Sequence, residues 1–134
     1  MRPFRFPWLW RGIGWLMLAV VAYLLVAPRL PDPLDIAYAD KLYHVAGFAL
    51  LSGWAALLFE SQRALLLRGL MLVAFGAAME GVQAVLPWRS ADLGDFVANV
   101  GGVALGLTIS FTPLARALWL LERRMLGPQL SGDR

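Results

Sequence analysis

The most unusual residue of the chain is a glutamate inside a long apolar stretch. Glu80 lies in the apolar run of residues 64–86, and on a helix that rises about 1.5 Å per residue it would be about 9 Å from the end at Leu86. Ionisable side chains at such a depth are costly in a membrane and usually serve a function. Glu80 could therefore act as a general acid or base, or form an ion pair that fixes helix packing. The predicted partners in such a pair are Lys41, His44 and Arg89.

Further polar residues open the two neighbouring apolar runs. His44 follows Lys41 at the start of one run, and Asp95 and Asn99 stand at the start of the other. Residues three, four or seven apart share one face of a helix, so these side chains are predicted to converge with Glu80 between three helices. We predict as catalytic candidates His44, Glu80 and Asp95, and as substrate-binding candidates Lys41, Gln83, Arg89 and Asn99.

Each polar face continues along its helix as glycine. Gly47 shares a face with Asp40 and His44, Gly69 and Gly76 align with Glu80 and Gln83, and Gly102 and Gly106 align with Asp92, Asp95 and Asn99. Small residues let membrane helices approach closely. These faces are therefore expected to pack against other helices rather than against lipid.

Several of these residues have a structural interpretation as well as a functional one. His44 could carry a proton or bind a ligand near neutral pH, or only close a hydrogen bond between helices. Arg89, with Lys41, could hold a phosphate or carboxylate in a forked pair, or it could contact lipid headgroups or pair with Asp92 or Asp95. Asp95, at the start of a helix, would also stabilise the positive end of the helix dipole.

Two other possibilities concern the amides and a metal ion. Gln83 and Asn99 cannot titrate, and hydrogen bonds between membrane helices are a sufficient reason for both. A metal site would have to combine His44 with oxygen ligands from Glu80, Asp95 and Asn99. A single histidine without a second nitrogen or sulfur ligand is a poor zinc signature, so neither a metal nor a cofactor is predicted.

The composition indicates a membrane protein. Of the 134 residues, 60% are hydrophobic and 16% are charged, which is too apolar for a soluble globule. The net charge is only +3 and the twelve basic residues are scattered, so no nucleic-acid partner is predicted. Without cysteine, the chain has neither a disulfide nor a thiolate nucleophile.

The apolar runs predict one all-α domain, an integral membrane bundle of four transmembrane helices followed by a short amphipathic helix in the interface. The basic and aromatic start favours an uncleaved first helix over a signal peptide. Thr112 as N-cap and Pro113 at the first position are expected to start the amphipathic helix. Its apolar face comprises Leu114, Leu118, Leu121 and Met125. The predicted transmembrane helices are 8–27, 42–59, 64–86 and 93–111, the interfacial helix is 113–126, and a polar loop at 28–35 and a tail at 127–134 complete the chain.

The basic residues are distributed unevenly over the two sides of this bundle. Four crossings place nine of the twelve on the side of the chain termini, and leave Arg29, Lys41 and Arg89 on the other. The positive-inside rule then predicts that both termini are cytoplasmic. The polar ends of three helices accordingly face outward.

Together these residues resemble the pattern of the VanZ-like membrane proteins, over roughly residues 40–106. The matching positions are Asp40, Lys41, His44, Glu80, Gln83, Pro87, Arg89, Asp95, Asn99, Gly102 and Gly106. The resemblance implies a multi-pass protein of the bacterial cytoplasmic membrane and cell envelope. The family takes its name from a member associated with resistance to the glycopeptide antibiotic teicoplanin. The resemblance implies no settled biochemical activity.

Three functions fit the predicted site, and the sequence leaves open whether any of them is enzymatic. The favoured one is an outward-facing site for the anionic headgroup of an envelope lipid or lipid-linked precursor, with Arg89 and Lys41 binding charge and Glu80 and His44 moving a proton if chemistry occurs. The second is a transporter or flippase component, which would require a homo-oligomer because four helices make a thin pathway. The third is a structural protein that binds a membrane-protein partner, in which the polar residues only set the packing.

Overall fold

The structure is a computed structural model that describes residues 1–28 and 39–126, and all regular secondary structure in these residues is helical. Most of the predicted polar loop and the whole predicted tail lie outside the described residues. In chain order the elements are α1 Pro7–Val26, α2 Ala39–Leu58, α3 Gln62–Gln83, α4 Leu93–Leu107, two 3₁₀ segments at Thr108–Phe111 and Pro113–Arg116, and α5 Ala117–Leu126.

The predicted fold class is confirmed. Four helices are long and apolar enough to cross a membrane, and the fourth of these spans comprises α4 with the 3₁₀ turn that extends it to Phe111. Exposed Trp15, Leu16, Met71 and Leu105 give the outer faces of these helices the apolar side chains that a bilayer requires.

The end of α3 differs from the predicted boundary, because the helix stops at Gln83 rather than Leu86. Proline at position 87 has no N–H and disfavours helical geometry in the residue before it. Between Gln83 and Pro87 the backbone turns more tightly than in an α-helix, because the N–H groups of Val85 and Leu86 donate to carbonyls three residues back. Glu80 therefore lies in the last turn of its helix, nearer the helix end than predicted.

The parallel helices α2 and α4 form the tightest contact of the bundle. Gly102 and Gly106 of α4 lie so close to α2 that a Cβ at Gly102 would be 2.5 Å from the carbonyl oxygen of Val45, and one at Gly106 would collide with the main chain of Ala49. Ser52 of α2 is fully buried in this contact. The glycine faces predicted for membrane helices thus bring the starts of α2 and α4 into a fixed register.

The centre of the bundle is built around α2. In the most apolar 18-residue stretch of α2, 44% of the residues are buried, whereas in that of α1 only 6% are buried. Phe48 is fully buried, its ring centroid lies 6.0 Å from that of Phe75 on α3, and Leu25 and Val103 complete the core. Because α1 contributes so little buried surface, polar contacts at its two ends carry much of its attachment.

The C-terminal helix begins differently from the prediction. Residues Pro113–Arg116 form a 3₁₀ turn, and the α-helix starts only at Ala117. Thr112 is the N-cap residue of this turn and Pro113 opens it, as predicted, but the side chain of Thr112 does not cap, because its hydroxyl donates 2.8 Å back to the carbonyl of Ile109. Leu114, Leu121 and Met125 of the predicted apolar face are exposed. The face that packs on the bundle contains Ala115 and Glu122.

We call the contacts between α5, the end of α2 and the chain start the terminal cluster, which comprises Arg2, Trp10, Glu60, Trp119 and Glu122 with the main chain of residues 3–6. The Glu122 carboxylate, 6% exposed, accepts hydrogen bonds from the main-chain N–H groups of Arg5 and Phe6 at 2.8 and 3.3 Å, and from Trp10 Nε1 at 2.7 Å. Arg2 is paired with Glu60. Glu122 thus supplies the acceptor and the negative charge favoured at the start of α1.

Candidate functional site

The sequence-predicted site residues meet at the opposite end of the bundle, where α1 and α3 end and α2 and α4 begin. We call this group the polar cluster. It comprises Asp40, Lys41 and His44 of α2, Glu80 and Gln83 of α3, Arg89 of the following loop, and Asp92, Asp95 and Asn99 at the start of α4.

His44 is held between two residues of α4. Its Nδ1 lies 2.9 Å from Oδ1 of Asn99, and its Nε2 lies 3.7 Å from Oδ2 of Asp95. All three side chains are almost fully buried. The first of these contacts is a hydrogen bond, whereas the second is longer than hydrogen-bond distance.

Lys41 links the two carboxylates at the start of α4. Its Nζ lies 2.5 Å from Oδ2 of Asp92 and 2.9 Å from Oδ1 of Asp95. Asp92 also caps α4, since its Oδ1 accepts from the N–H of Gly94 at 2.7 Å. The Lys41 side chain is one-third exposed and that of Asp92 half exposed, so this ion pair lies at the surface of the cluster.

Glu80 contacts the same loop but does not form the predicted ion pair. Its Oε2 accepts a hydrogen bond of 3.2 Å from the main-chain N–H of Asp92, and its Oε1 is buried without a hydrogen-bond partner. The side chain of Gln83 has a similar imbalance, because Nε2 donates while the buried Oε1 has no partner. Both unpaired oxygens belong to residues that the sequence singled out.

Arg89 and its neighbours cap the C-terminal end of α1. The last carbonyls of a helix have no partner within the helix, and here side chains that follow or end α3 supply donors to four of them. The pairs are Arg89 Nη2 with Leu24 O at 2.8 Å, Gln83 Nε2 with Leu25 O at 2.8 Å, Trp88 Nε1 with Val26 O at 2.9 Å, and Arg89 Nε with Ala27 O at 2.9 Å.

The ion pair of Arg89 differs from the predicted one. Its nearest carboxylate is Asp40, with Nη1 3.7 Å from Oδ1, rather than Asp92 or Asp95. Its side chain is only 8% exposed. The capping role, and with it the role of Trp88, was missed from the sequence. The signal in the sequence was a group of three side chains with N–H donors, Gln83, Trp88 and Arg89, at and just after the end of α3. In the structure they lie beside the C-terminal end of α1, whose last carbonyls need donors.

The arrangement provides the groups needed for proton transfer or ion binding, but little free positive charge. His44 contacts an amide and faces a carboxylate, Glu80 has one unpaired oxygen, and Lys41 is the more exposed of the two cations. The cluster could exchange a proton, bind a cation or contact a headgroup through Lys41.

Comparison with known proteins identifies a relative of this chain. No family model matches the sequence, and no solved structure matches it. The chain is 34% identical over 122 residues to Uncharacterized protein C11E3.10 of Schizosaccharomyces pombe, an alignment that covers 87% of this chain and 73% of the yeast protein. With this identity over most of both chains, the protein belongs to the same family as the fission yeast protein.

Proposed function

We propose that this protein is a VanZ-like multi-pass membrane protein whose polar cluster binds the anionic headgroup of a membrane lipid or of a lipid-linked envelope precursor. One observation carries the proposal. Polar and charged residues from three otherwise apolar helices meet at a single end of the bundle, beside the exposed apolar faces of those helices. Such groups are costly in a membrane segment unless they have a function.

Lys41 is the cation best placed to contact a headgroup. Arg89 is occupied by main-chain carbonyls of α1, whereas Lys41 is one-third exposed and shares the surface with half-exposed Asp92. A phosphate could replace Asp92 as a partner of Lys41 without disturbing the buried contact to Asp95. Glu80 and His44 lie next to this surface and would move a proton if the bound group reacts.

The location follows from the same proposal. Eight arginines of the described residues lie at the end of the bundle that holds the terminal cluster, while Lys41 and Arg89 lie at the other end. The positive-inside rule then supports cytoplasmic termini and an outward-facing polar cluster. The resemblance favours a bacterial cytoplasmic membrane. Because a relative comes from a yeast, we take an anionic membrane lipid as the general ligand and an envelope precursor as its narrower form.

Native mass spectrometry of the protein in mild detergent tests this proposal. The wild type is expected to retain an anionic lipid that the folded fractions of Lys41→Gln and Glu80→Gln lose. Arg63→Gln is the matched control, because Arg63 is an exposed basic residue in the first turn of α3 at the opposite end of the bundle. Equal lipid retention in the wild type, Lys41→Gln and Arg63→Gln would contradict headgroup binding.

A structural role is the second candidate, and the capping of α1 favours it. If the polar cluster only sets the packing that a membrane-protein partner recognises, every substitution in it should lower the melting temperature in proportion to the contacts removed. Arg89→Ala, which removes two donors to α1, should then be more damaging than Glu80→Gln. Lipid retention would follow the folded fraction and nothing else.

A further inference from the structure

Three side chains of the polar cluster bring potential metal ligands together. One ligand atom from each of Asp40, His44 and Asp95 lies within 4.8 Å of the other two. Two ligands of a tetrahedral zinc ion, each about 2.1 Å from the metal, lie about 3.4 Å apart, so separations of up to 4.8 Å would have to close by as much as about 1.4 Å. We propose that Asp40, His44 and Asp95 bind a divalent transition-metal ion.

The distance between His44 and Asp95 suits an ion that lies between them. Nε2 of His44 is 3.7 Å from Oδ2 of Asp95, which is longer than a hydrogen bond. Two ligands of a tetrahedral zinc ion are separated by about 3.4 Å, so this gap is close to the spacing that a bound cation requires.

The residues around the three ligands have the arrangement expected of a second shell. Asn99 contacts Nδ1 of His44 and holds the ring with Nε2 towards Asp95, and metal-bound histidines almost always have such a partner on the other ring nitrogen. Lys41 holds Oδ1 of Asp95, which directs Oδ2 to His44. The close contact of α2 with α4 at Gly102 keeps the ligands of the two helices in register.

The ligand types narrow the choice of metal. One imidazole nitrogen and two carboxylate oxygens form a site of mixed character, because carboxylates suit Mg²⁺ and Mn²⁺ while imidazole suits Zn²⁺ and other first-row ions. Mn²⁺ and Zn²⁺ are the ions that accept both. Metal binding does not depend on the proposed headgroup binding, since all three ligands come from the protein.

The proposal is tested with the full chain in mild detergent, treated with a chelator and then titrated with Mn²⁺ alone. Electron paramagnetic resonance measures the free Mn²⁺, and added Zn²⁺ competes for the site. We expect one ion per chain in the wild type, and affinities reduced about tenfold or more in His44→Gln and Asp95→Asn. Asp92→Asn is the matched control, because it removes a carboxylate of the same cluster while asparagine caps a helix as well as aspartate does.

The outcomes separate a metal site from general charge attraction. Binding that is lost in His44→Gln and Asp95→Asn but kept in Asp92→Asn supports the three-ligand site. A wild type that takes up no more Mn²⁺ or Zn²⁺ than His44→Gln, or an equal loss in Asp92→Asn, overturns it. If the two buried variants fail to fold, half-buried Asp40→Asn decides, together with the rise in melting temperature that the ion should cause in the wild type.

Lipid retention, measured separately in metal-free protein, shows whether headgroup binding fails independently. Retained lipid without metal uptake would refute the metal site alone. Metal uptake without retained lipid would refute only the proposed function.

Discussion

The two ends of α1 are held in similar ways by different parts of the chain. At its start, Glu122 of α5 accepts hydrogen bonds from two main-chain N–H groups and from Trp10. At its end, Gln83, Trp88 and Arg89 donate to four successive carbonyls. Each cluster therefore pairs main-chain groups that the helix itself leaves without partners. These contacts compensate for the small buried surface of α1.

The two clusters differ in the buried polar atoms that this pairing leaves without a partner. Among the described residues, the buried side-chain oxygens without a hydrogen-bond partner are those of Glu80 and Gln83, and both lie in the polar cluster. The polar cluster also contains the 3.7 Å separation between His44 and Asp95. Unpaired buried polar atoms cost stability and call for an explanation. The polar cluster therefore keeps buried oxygens that the fold does not pair, and these are atoms that the proposed binding could use.

The largest effect on stability is expected from a substitution that separates α2 from α4 next to the polar cluster. We expect Gly102→Ala to destabilise the protein by about 3 kcal/mol, because the new methyl group would meet the main chain of Val45, which cannot rotate away. The displaced α4 should also move Asp95 and Asn99 away from His44. Thermal unfolding followed by circular dichroism measures the loss, and Mn²⁺ titration of the folded fraction measures the displacement.

The adjacent glycine provides the control for this prediction. A Cβ at Gly101 would have no atom within 4 Å. Gly101→Ala should therefore leave the melting temperature equal to or slightly above that of the wild type, since alanine favours a helix by up to about 1 kcal/mol. Equal destabilisation by the two alanines would mean that the close contact of α2 with α4 does not limit stability.

A second change tests whether the terminal cluster is purely structural. Glu122→Ala removes the acceptor of three N–H groups and should cost about 2 kcal/mol or more. Lipid and metal binding by the folded fraction should be unchanged, because the polar cluster lies at the other end of the bundle. Glu122→Gln keeps a carbonyl oxygen and should recover part of the lost stability. Loss of binding in a stable Glu122→Gln protein would contradict the separation of roles.

The fold could be predicted from the sequence because its determinants are local. Apolar runs of membrane-spanning length predicted all four long helices. The glycines on the same face of α4 as Asp95 and Asn99 predicted which face of that helix is packed. The end of α3 was misplaced by three residues because apolar character continues to Leu86 while the helical hydrogen bonds do not. Hydrophobicity indicates where a chain can be buried, but proline geometry decides where the helix stops.

The contacts of the site were harder to predict because they depend on which helix ends meet. The convergence of His44, Asp95 and Asn99 follows from helical periodicity, whereas the pairing of Arg89 with carbonyls of α1 requires the relative placement of two helices distant in the chain. Main-chain carbonyls have no sequence signature. The sequence argued against a metal site because it offers a single histidine, and Asp40 was not among the oxygen ligands considered with His44.

The smallest change in stability should come from the residue that looked most costly in the sequence. Glu80→Gln keeps an oxygen that can accept from the N–H of Asp92 and removes a charge whose second oxygen is unpaired. Its unfolding free energy should therefore stay within about 1 kcal/mol of the wild type, in contrast to that of Glu122→Ala. Lipid retention, by contrast, should fall if the carboxylate serves the bound ligand. A large loss of stability with lipid retention unchanged would place Glu80 with Glu122 among the structural carboxylates and remove the difference between the two clusters.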